Sequence, residues 1–149
     1  MITVMNKRKR IFHNDALLRK TARLTLAAEG VRKSVSLTIL VTGDREITGF
    51  NRRFFGKNRA TDVISFGTQR FQLPGRTAEG FLGDIVISAE TARYNTTRFG
   101  TSLREEISLY IAHGVLHLLG YDDQTKRGRL RMESKQERII NGLCGRIIS

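Results

Sequence analysis

The chain has 149 residues, with 26 Lys and Arg against 14 Asp and Glu and a formal charge of +12. An apolar fraction of 40% and a charged fraction of 27% exclude a chain disordered as a whole, and the length fits one domain with its own core rather than two. The positive excess attracts polyanions at long range and favours nucleic acid as partner, ahead of an anionic membrane surface or a charge that serves solubility alone.

Ile2–Val4 reads as a short first strand, followed by the basic cluster Lys7–Arg10, a solvated segment that also suits phosphate. No apolar core of signal-peptide length follows these charges, which predicts a cytoplasmic protein. Asn14 or Asp15 is placed to cap a helix to about Glu29, with Leu17, Leu18, Thr21, Leu24 and Ala28 on one side and Gly30 as its stop. Val35, Leu37, Ile39 and Val41 alternate with mostly polar residues, the period of a strand with one buried face. Gly43-Asp44 turns the chain, and Ile47, Phe50 and Phe54 recur at the spacing of a short helix. Thr61–Phe66 is a β-branched and aromatic run and predicts a strand. Residues 72–80, with Pro74, Gly75 and Gly80, read as a loop between strands rather than a domain linker. Phe81–Ser88 carries Ile85-Val86-Ile87, a buried strand, and a helix from Ala89 to about Arg98 ends at Gly100.

Ser102 and Glu105 form a capping box. The helix they open is expected to run to Leu119, with Gly120 as a left-handed stop. Leu103, Ile107, Leu109, Ile111, Val115, Leu116, Leu118 and Leu119 lie on all its sides, as in a buried helix. Ile107–Tyr121 is too short to cross a bilayer, so no membrane partner is expected. A last helix fits about Thr125–Leu143, with Met132, Ile139, Ile140 and Leu143 inward. The one cysteine, Cys144, excludes an intramolecular disulfide and reads as a small buried apolar residue, in keeping with a reducing compartment. The element order predicts one α+β domain over 1–149, with a small mixed sheet of about four strands and about five helices.

His113 and His117 lie four apart on the central helix, so both imidazoles leave one face about 6 Å apart. Two nitrogens so placed can bind one ion at about 2.0–2.1 Å each. Gly120 ends the helix and lets the chain reverse, so that Asp122 or Asp123 reaches the same point, and the full pattern is H-x-x-x-H-x-x-G-x-x-D. The site is thereby expected at the C-terminal end of a buried helix. The alternative is two core histidines satisfied by hydrogen bonds; the glycine break and the carboxylates that follow favour a metal. Nitrogen and carboxylate ligands suit one Zn²⁺, with Mn²⁺, Co²⁺ and Ni²⁺ as other candidates. Three protein ligands leave a corner open for water, whose pKa the ion lowers from 15.7 to about 7. A zinc peptidase of the H-E-x-x-H type carries its general base directly after the first histidine, and here Gly114 stands there. Glu106, two turns back and about 10 Å along the axis, is too far away to serve and reads as structural.

The segment from His113 to Asp123 resembles the signature of the YbeY family of endoribonucleases, H-G-x-L-H-L-x-G-Y-D-H, in eight of nine fixed letters. Thr61–Phe66 is similar to that family's T-D-V-L-S-F block, Gly83–Ser88 to its G-D-I-V-I-S block, and Met132–Ile139 to its closing helix. The likeness covers roughly residues 45–140, in order. It implies an α+β fold with a three-ligand zinc site in a cleft, made here by His113, His117 and Asp123. It further implies single-strand endoribonuclease activity in 16S rRNA 3′-end maturation and ribosome quality control, with ribosomal RNA, the small ribosomal subunit and its assembly factors as partners.

Two positions depart from the family pattern. Its last histidine is Asp123 here, a competent ligand that adds a negative charge and lessens the ion's Lewis acidity. Its arginine six residues before the Thr of T-D-V-L-S-F is Phe55 here, which leaves Arg53, Lys57 and Arg59 as candidates for phosphate contact. No side chain is assigned a catalytic role beyond these and the metal-bound water. The rival reading is a non-catalytic, zinc-stabilised rRNA-binding assembly protein; a small metallopeptidase and a metal-free assembly protein are the others.

Overall fold

The structure, a computed structural model, describes residues 1–31, 34–68 and 80–143. Its elements are β1 (Ile2–Asn6), α1 (Asp15–Ala28), β2 (Val35–Thr42), α2 (Asp44–Phe55), β3 (Val63–Gly67), β4 (Gly80–Ser88), α3 (Ala89–Phe99), α4 (Leu103–Leu118) and α5 (Lys126–Leu143). The sheet order is β1-β2-β4-β3; the first three strands run parallel, and β3 runs antiparallel to β4. The mixed four-stranded sheet and five helices among the described residues are the α+β architecture expected. None of these helices is long and apolar enough to cross a membrane.

Period-two alternation distributes each strand between two faces. Leu37, Ile39 and Val41 of β2 and Ile85 and Ile87 of β4 face α1 and α4 and are fully buried. On the opposite face Ile64, Val86, Leu40 and Phe66 pack with Ile47 and Phe50 of α2 in a smaller cluster. Helix α4 lies at the centre of the larger core, against α1, α3, α5, β3 and β4. Its apolar residues enclose it as the pattern predicts, and His113 and His117 interrupt that burial on one side. Ser102 caps α4, its hydroxyl accepting from Glu105 N at 3.0 Å, and Gly120 ends it at φ 99°.

Local details depart from expectation. The inward stripe of α1 is Leu17, Leu18, Thr21, Ala22, Thr25 and Leu26, whereas Leu24 and Ala28 face solvent. The small Ala22 belongs to that stripe, and two threonines are buried without loss because their hydroxyls donate to Leu17 O and Thr21 O at 2.8 Å. Strand β3 begins at Val63 rather than Thr61: Asp62 O still accepts from Ser88 N at 3.0 Å, but the chain bends at Asp62, whose carboxylate accepts from Val63 N at 2.7 Å on the side turned away from β4. The expected loop at 72–80 lies outside the described residues except for Gly80, which opens β4; Cys144 also lies outside them.

Helix α4 comes unusually close to the sheet at Gly114. A Cβ there would lie 2.8 Å from Ile85 Cγ2 and 3.2 Å from its Cγ1 and Cδ1, and the Gly114 carbonyl accepts from Ser65 Oγ at 3.1 Å. Ile85 is fully buried and has no room to yield. A glutamate at this position, as a peptidase of the H-E-x-x-H type needs, has no place to go. Gly114→Ala gains about 1 kcal/mol of helix propensity and loses about 1–3 kcal/mol to overpacking, so we expect a net loss near 1 kcal/mol in urea denaturation. The loss should shrink in an Ile85→Ala background; a more stable single variant would contradict the close approach.

Candidate metal centre

The two imidazoles leave α4 on its one incompletely buried side, with ring centroids 4.5 Å apart at 76°. Their Nε2 atoms are 2.9 Å apart, and Asp123 Oδ2 lies 3.5 Å from each. His113, His117 and Asp123 are the described group whose ligand atoms all fall within 4.8 Å of one another. Tetrahedral ligands about 2.0–2.1 Å from an ion stand about 3.3 Å apart. Both carboxylate distances match that edge closely, and the imidazole pair needs to open by only a few tenths of an ångström. The donor set therefore fits one divalent ion.

The turn after α4 carries Asp123 into place. Tyr121 N donates to Leu116 O at 3.0 Å and closes the helix end. The Tyr121 hydroxyl donates to Glu29 Oε1, and Lys135 Nζ donates to Glu29 Oε2 at 2.9 Å while lying 5.2 Å from the Tyr121 ring centroid. Burial and the Glu29 carboxylate push the Tyr121 phenol up, and the same carboxylate raises Lys135, so this clamp stays a Lys–Glu ion pair with a neutral phenol. Asp122 points elsewhere, its carboxylate accepting from Gln124 N at 2.9 Å in a local turn. Of the two carboxylates that spacing allows, Asp123 is the one beside the histidines.

Each imidazole is also held by its far nitrogen. His117 Nδ1 lies 3.0 Å from the Tyr121 carbonyl, which can only accept, so Nδ1 carries the proton and Nε2 offers a lone pair. His113 Nδ1 lies 2.5 Å from the Gln136 amide nitrogen. The chain of bonds closes with both rings neutral if Gln136 donates to His113 Nδ1 and His113 Nε2 donates to His117 Nε2. Burial first, and then the neighbouring His117, hold the His113 pKa below its ordinary value, partly countered by Asp123 and Asp62, which keeps the ring neutral. For both Nε2 atoms to take a cation, the His113 proton must sit on Nδ1; a half-turn of the Gln136 amide brings its oxygen round to accept it.

Gln136 was not among the residues picked out from the sequence. It is 5% exposed on the inward stripe Met132–Gln136–Ile139–Leu143 of α5. A polar residue at core spacing, one helical turn from a buried methionine, was the available signal. Glu106, 4% exposed, lies outside the cleft; burial, then Asp62 and Glu105, raise its pKa, in line with the structural reading.

The imidazoles open into a cleft of about 540 Å³. Asn51, Phe55, Lys57, Asp62 and Ser65 line it with the three candidate ligands. Of the three basic candidates only Lys57 lines this cleft. Arg53 borders a neighbouring groove with Arg8 and Arg45, its guanidinium 5.5 Å from the Phe54 ring centroid. Arg59 is exposed, and its carbonyl accepts from Asn51 Nδ2 at 3.0 Å. The separation follows from the end of α2: Gly56, at φ 68°, reverses the chain between Arg53 and Lys57.

Residues 2–144 match the family model described as Endoribonuclease YbeY. An Endoribonuclease YbeY of Pelotomaculum thermopropionicum is 36% identical over 146 residues, covering 95% of this chain and 96% of its own length. One from Nautilia profundicola is 43% identical over 107 residues, covering 72% of this chain and 71% of its own. The solution structure of TM1509 from Thermotoga maritima superposes with a TM-score of 0.66 at 23% identity, covering 97% of this chain and 90% of that one, and shows the same fold.

In the metal-free protein at about pH 8, above the ordinary imidazole pKa of about 6.5, long-range ¹H–¹⁵N spectra should show His117 protonated at Nδ1 and His113 at Nε2. Gln136→Glu removes the donor facing His113 Nδ1 and should move that proton to Nδ1 without metal. An unchanged His113 tautomer in the variant would mean that Gln136 does not set it.

Proposed function

The chain belongs to the YbeY endoribonuclease family, and on that premise we propose that it is a zinc-dependent, single-strand-specific endoribonuclease acting in 16S rRNA 3′-end maturation and ribosome quality control. The ligands are His113, His117 and Asp123, and the setting is cytoplasmic, with ribosomal RNA, the small ribosomal subunit and its assembly factors as partners. The observation that carries the reading is the convergence of those three side chains at the wall of an open cleft in a chain of charge +12. When bound, a zinc ion supplies Lewis acidity toward a phosphodiester.

The chain's own residues do the rest. His117 and His113 are held in orientation by Tyr121 O and Gln136, and burial favours the neutral form of His113. Lys57, inside the cleft, attracts the RNA backbone and offsets negative charge as it develops on the phosphate. Arg53 and Arg59, outside the cleft lining, act on flanking phosphates and on association rather than at the bond that breaks. A peptidase reading is disfavoured because no side chain fits at Gly114. The reading as a binding protein draws on Phe55, which puts a ring where the family pattern has a cation.

Elemental analysis should find one zinc per chain, lost in Asp123→Ala and kept in Asp122→Ala. Single-stranded RNA should be cut by the parent chain, and neither by Asp123→Ala nor after chelation. Mapped product ends will tell attack by water from attack by the RNA's own 2′-hydroxyl, which leaves a 2′,3′-cyclic phosphate. Full zinc occupancy in Asp123→Ala would remove the third ligand. A zinc-loaded parent that binds RNA but cuts none under any metal condition would leave only the binding-protein reading.

A further inference from the structure

Four phenylalanines meet at the end of α2: Phe55 lines the metal cleft, Phe50 the neighbouring basic groove, and Phe50, Phe54 and Phe66 an apolar hollow with Met5, Leu40 and Val86. Phe66 of β3 is their hub, with ring centroids 6.0 Å from Phe50, 5.0 Å from Phe54 and 6.1 Å from Phe55. Phe50 and Phe66 are half-buried, whereas Phe54 and Phe55, in the last turn of α2, are 54% and 52% exposed. Phe55 lines the cleft that His113, His117 and Asp123 open into, and its ring is stacked on Phe66 at an interplanar angle of 24°. The Phe66 ring therefore holds it from one side, while half its surface faces solvent.

Charge frames these rings. Lys57 lies in the same cleft as Phe55, Arg53 lies over Phe54, and Arg8 and Arg45 line the groove beyond Phe50. Carboxylates are present too: Asp62 and Asp123 line the cleft, and Glu46, paired with Lys7 at 3.0 Å, lines the groove. Exposed aromatic faces set among Lys and Arg are how proteins hold single-stranded nucleic acid, phosphates on the cations and bases on the rings. A lone apolar patch would suit a protein partner equally well. This strip, by contrast, runs into the cleft assigned above to a phosphodiester and has cations on both sides.

We infer that Phe55 is a stacking platform for an unpaired base of single-stranded RNA next to the phosphodiester in the cleft. The identity of the strand rests on the ribonuclease reading; the stacking itself does not. Position 55 is where the family pattern has an arginine, so this chain meets the strand there through a base instead of a phosphate. A paired base offers no free face to the ring, which makes the platform selective for single strands.

The chain contains no tryptophan, so Phe55→Trp gives a single indole at the platform, read by excitation beyond the tyrosine absorption band. In the metal-free protein its fluorescence should be quenched by an oligoadenylate of about twelve nucleotides, within the footprint of such sites. Inorganic polyphosphate of matched charge and an RNA duplex should leave it unchanged. Phe55→Leu, apolar but without a π-face, should bind the oligonucleotide roughly 5- to 150-fold more weakly, the loss of one stacked base, with the salt dependence of binding unaltered. Phe55→Trp should keep the parent affinity. Quenching by polyphosphate as strong as by the oligonucleotide would overturn the inference, as would no quenching by any single strand or parent affinity in Phe55→Leu. Cleavage of RNA by a parent whose Phe55→Leu variant binds normally would sink the platform and leave the ribonuclease reading standing. Stacking without cleavage under any metal would do the reverse.

Discussion

A hydrogen-bond relay running from the Tyr121 carbonyl through His117 and His113 to the Gln136 amide organises this structure. An imidazole serves as a ligand through one nitrogen only when the other is fixed, since that fixes both the ring plane and the tautomer. Here the two fixed points come from different elements: the turn after α4 holds one ring and α5 holds the other. The Glu29 clamp belongs to the same design. By tying the Tyr121 hydroxyl to α1 and Lys135 of α5, it sets where the Tyr121 carbonyl and Asp123 lie relative to α4. Three helices thus converge on a site whose candidate ligands span only eleven residues of sequence.

The scaffold explains how two polar rings persist beside a dense core. Helix α4 is buried on all other sides, and its nearest approach to the sheet, at Gly114 over Ile85, presses it against β4. That contact fixes the helix along its axis and in rotation, so packing sets which face of α4 the two histidines leave, and their own hydrogen bonds set the ring planes. Burial also keeps His113 neutral. The packing that stabilises the domain thereby keeps the imidazole neutral, as a ligand must be, while its one proton has still to pass to Nδ1 before Nε2 can take a cation.

Much of this was legible in the residues. The four-residue histidine spacing, the glycine stop and the following carboxylates implied the cluster, and Ser102 and Gly120 marked the ends of its helix. Spacing left Asp122 and Asp123 open, because both lie just past the reversal; the structure separates them, with Asp123 Oδ2 3.5 Å from both Nε2 atoms and Asp122 turned to Gln124 N. Gln136 sits at core spacing with Met132 and Ile139, but spacing does not say what a buried glutamine faces, and its importance comes from a partner 23 positions away. On α1 the stripe expected through Leu17, Leu18 and Thr21 continues through Ala22, Thr25 and Leu26 instead of Leu24 and Ala28, and Thr25 can be buried because Thr21 O accepts its hydroxyl. Arg53, Lys57 and Arg59 looked alike in sequence. The left-handed turn at Gly56 sends them to different surfaces, a consequence of backbone reversal that composition does not reveal.

The two departures from the family pattern act in the same electrostatic direction. Aspartate for histidine adds one negative charge at the ion, and phenylalanine for arginine removes one positive charge from the cleft. Both weaken attraction for phosphate at the place where the chemistry needs it. The remaining positive charge is spread over the surface, which speeds encounter with a polyanion but does not orient one bond. Lys57 is the one cation among the three basic candidates that reaches the cleft. Interactions that do not depend on charge are then left to orient the strand: ring stacking at Phe55, alongside the polar side chains of Asn51 and Ser65 that also line the cleft. A site with a carboxylate at the ligand position, one cation in the cleft and an exposed ring beside it suits a strand whose register is set by a base as well as by its phosphates.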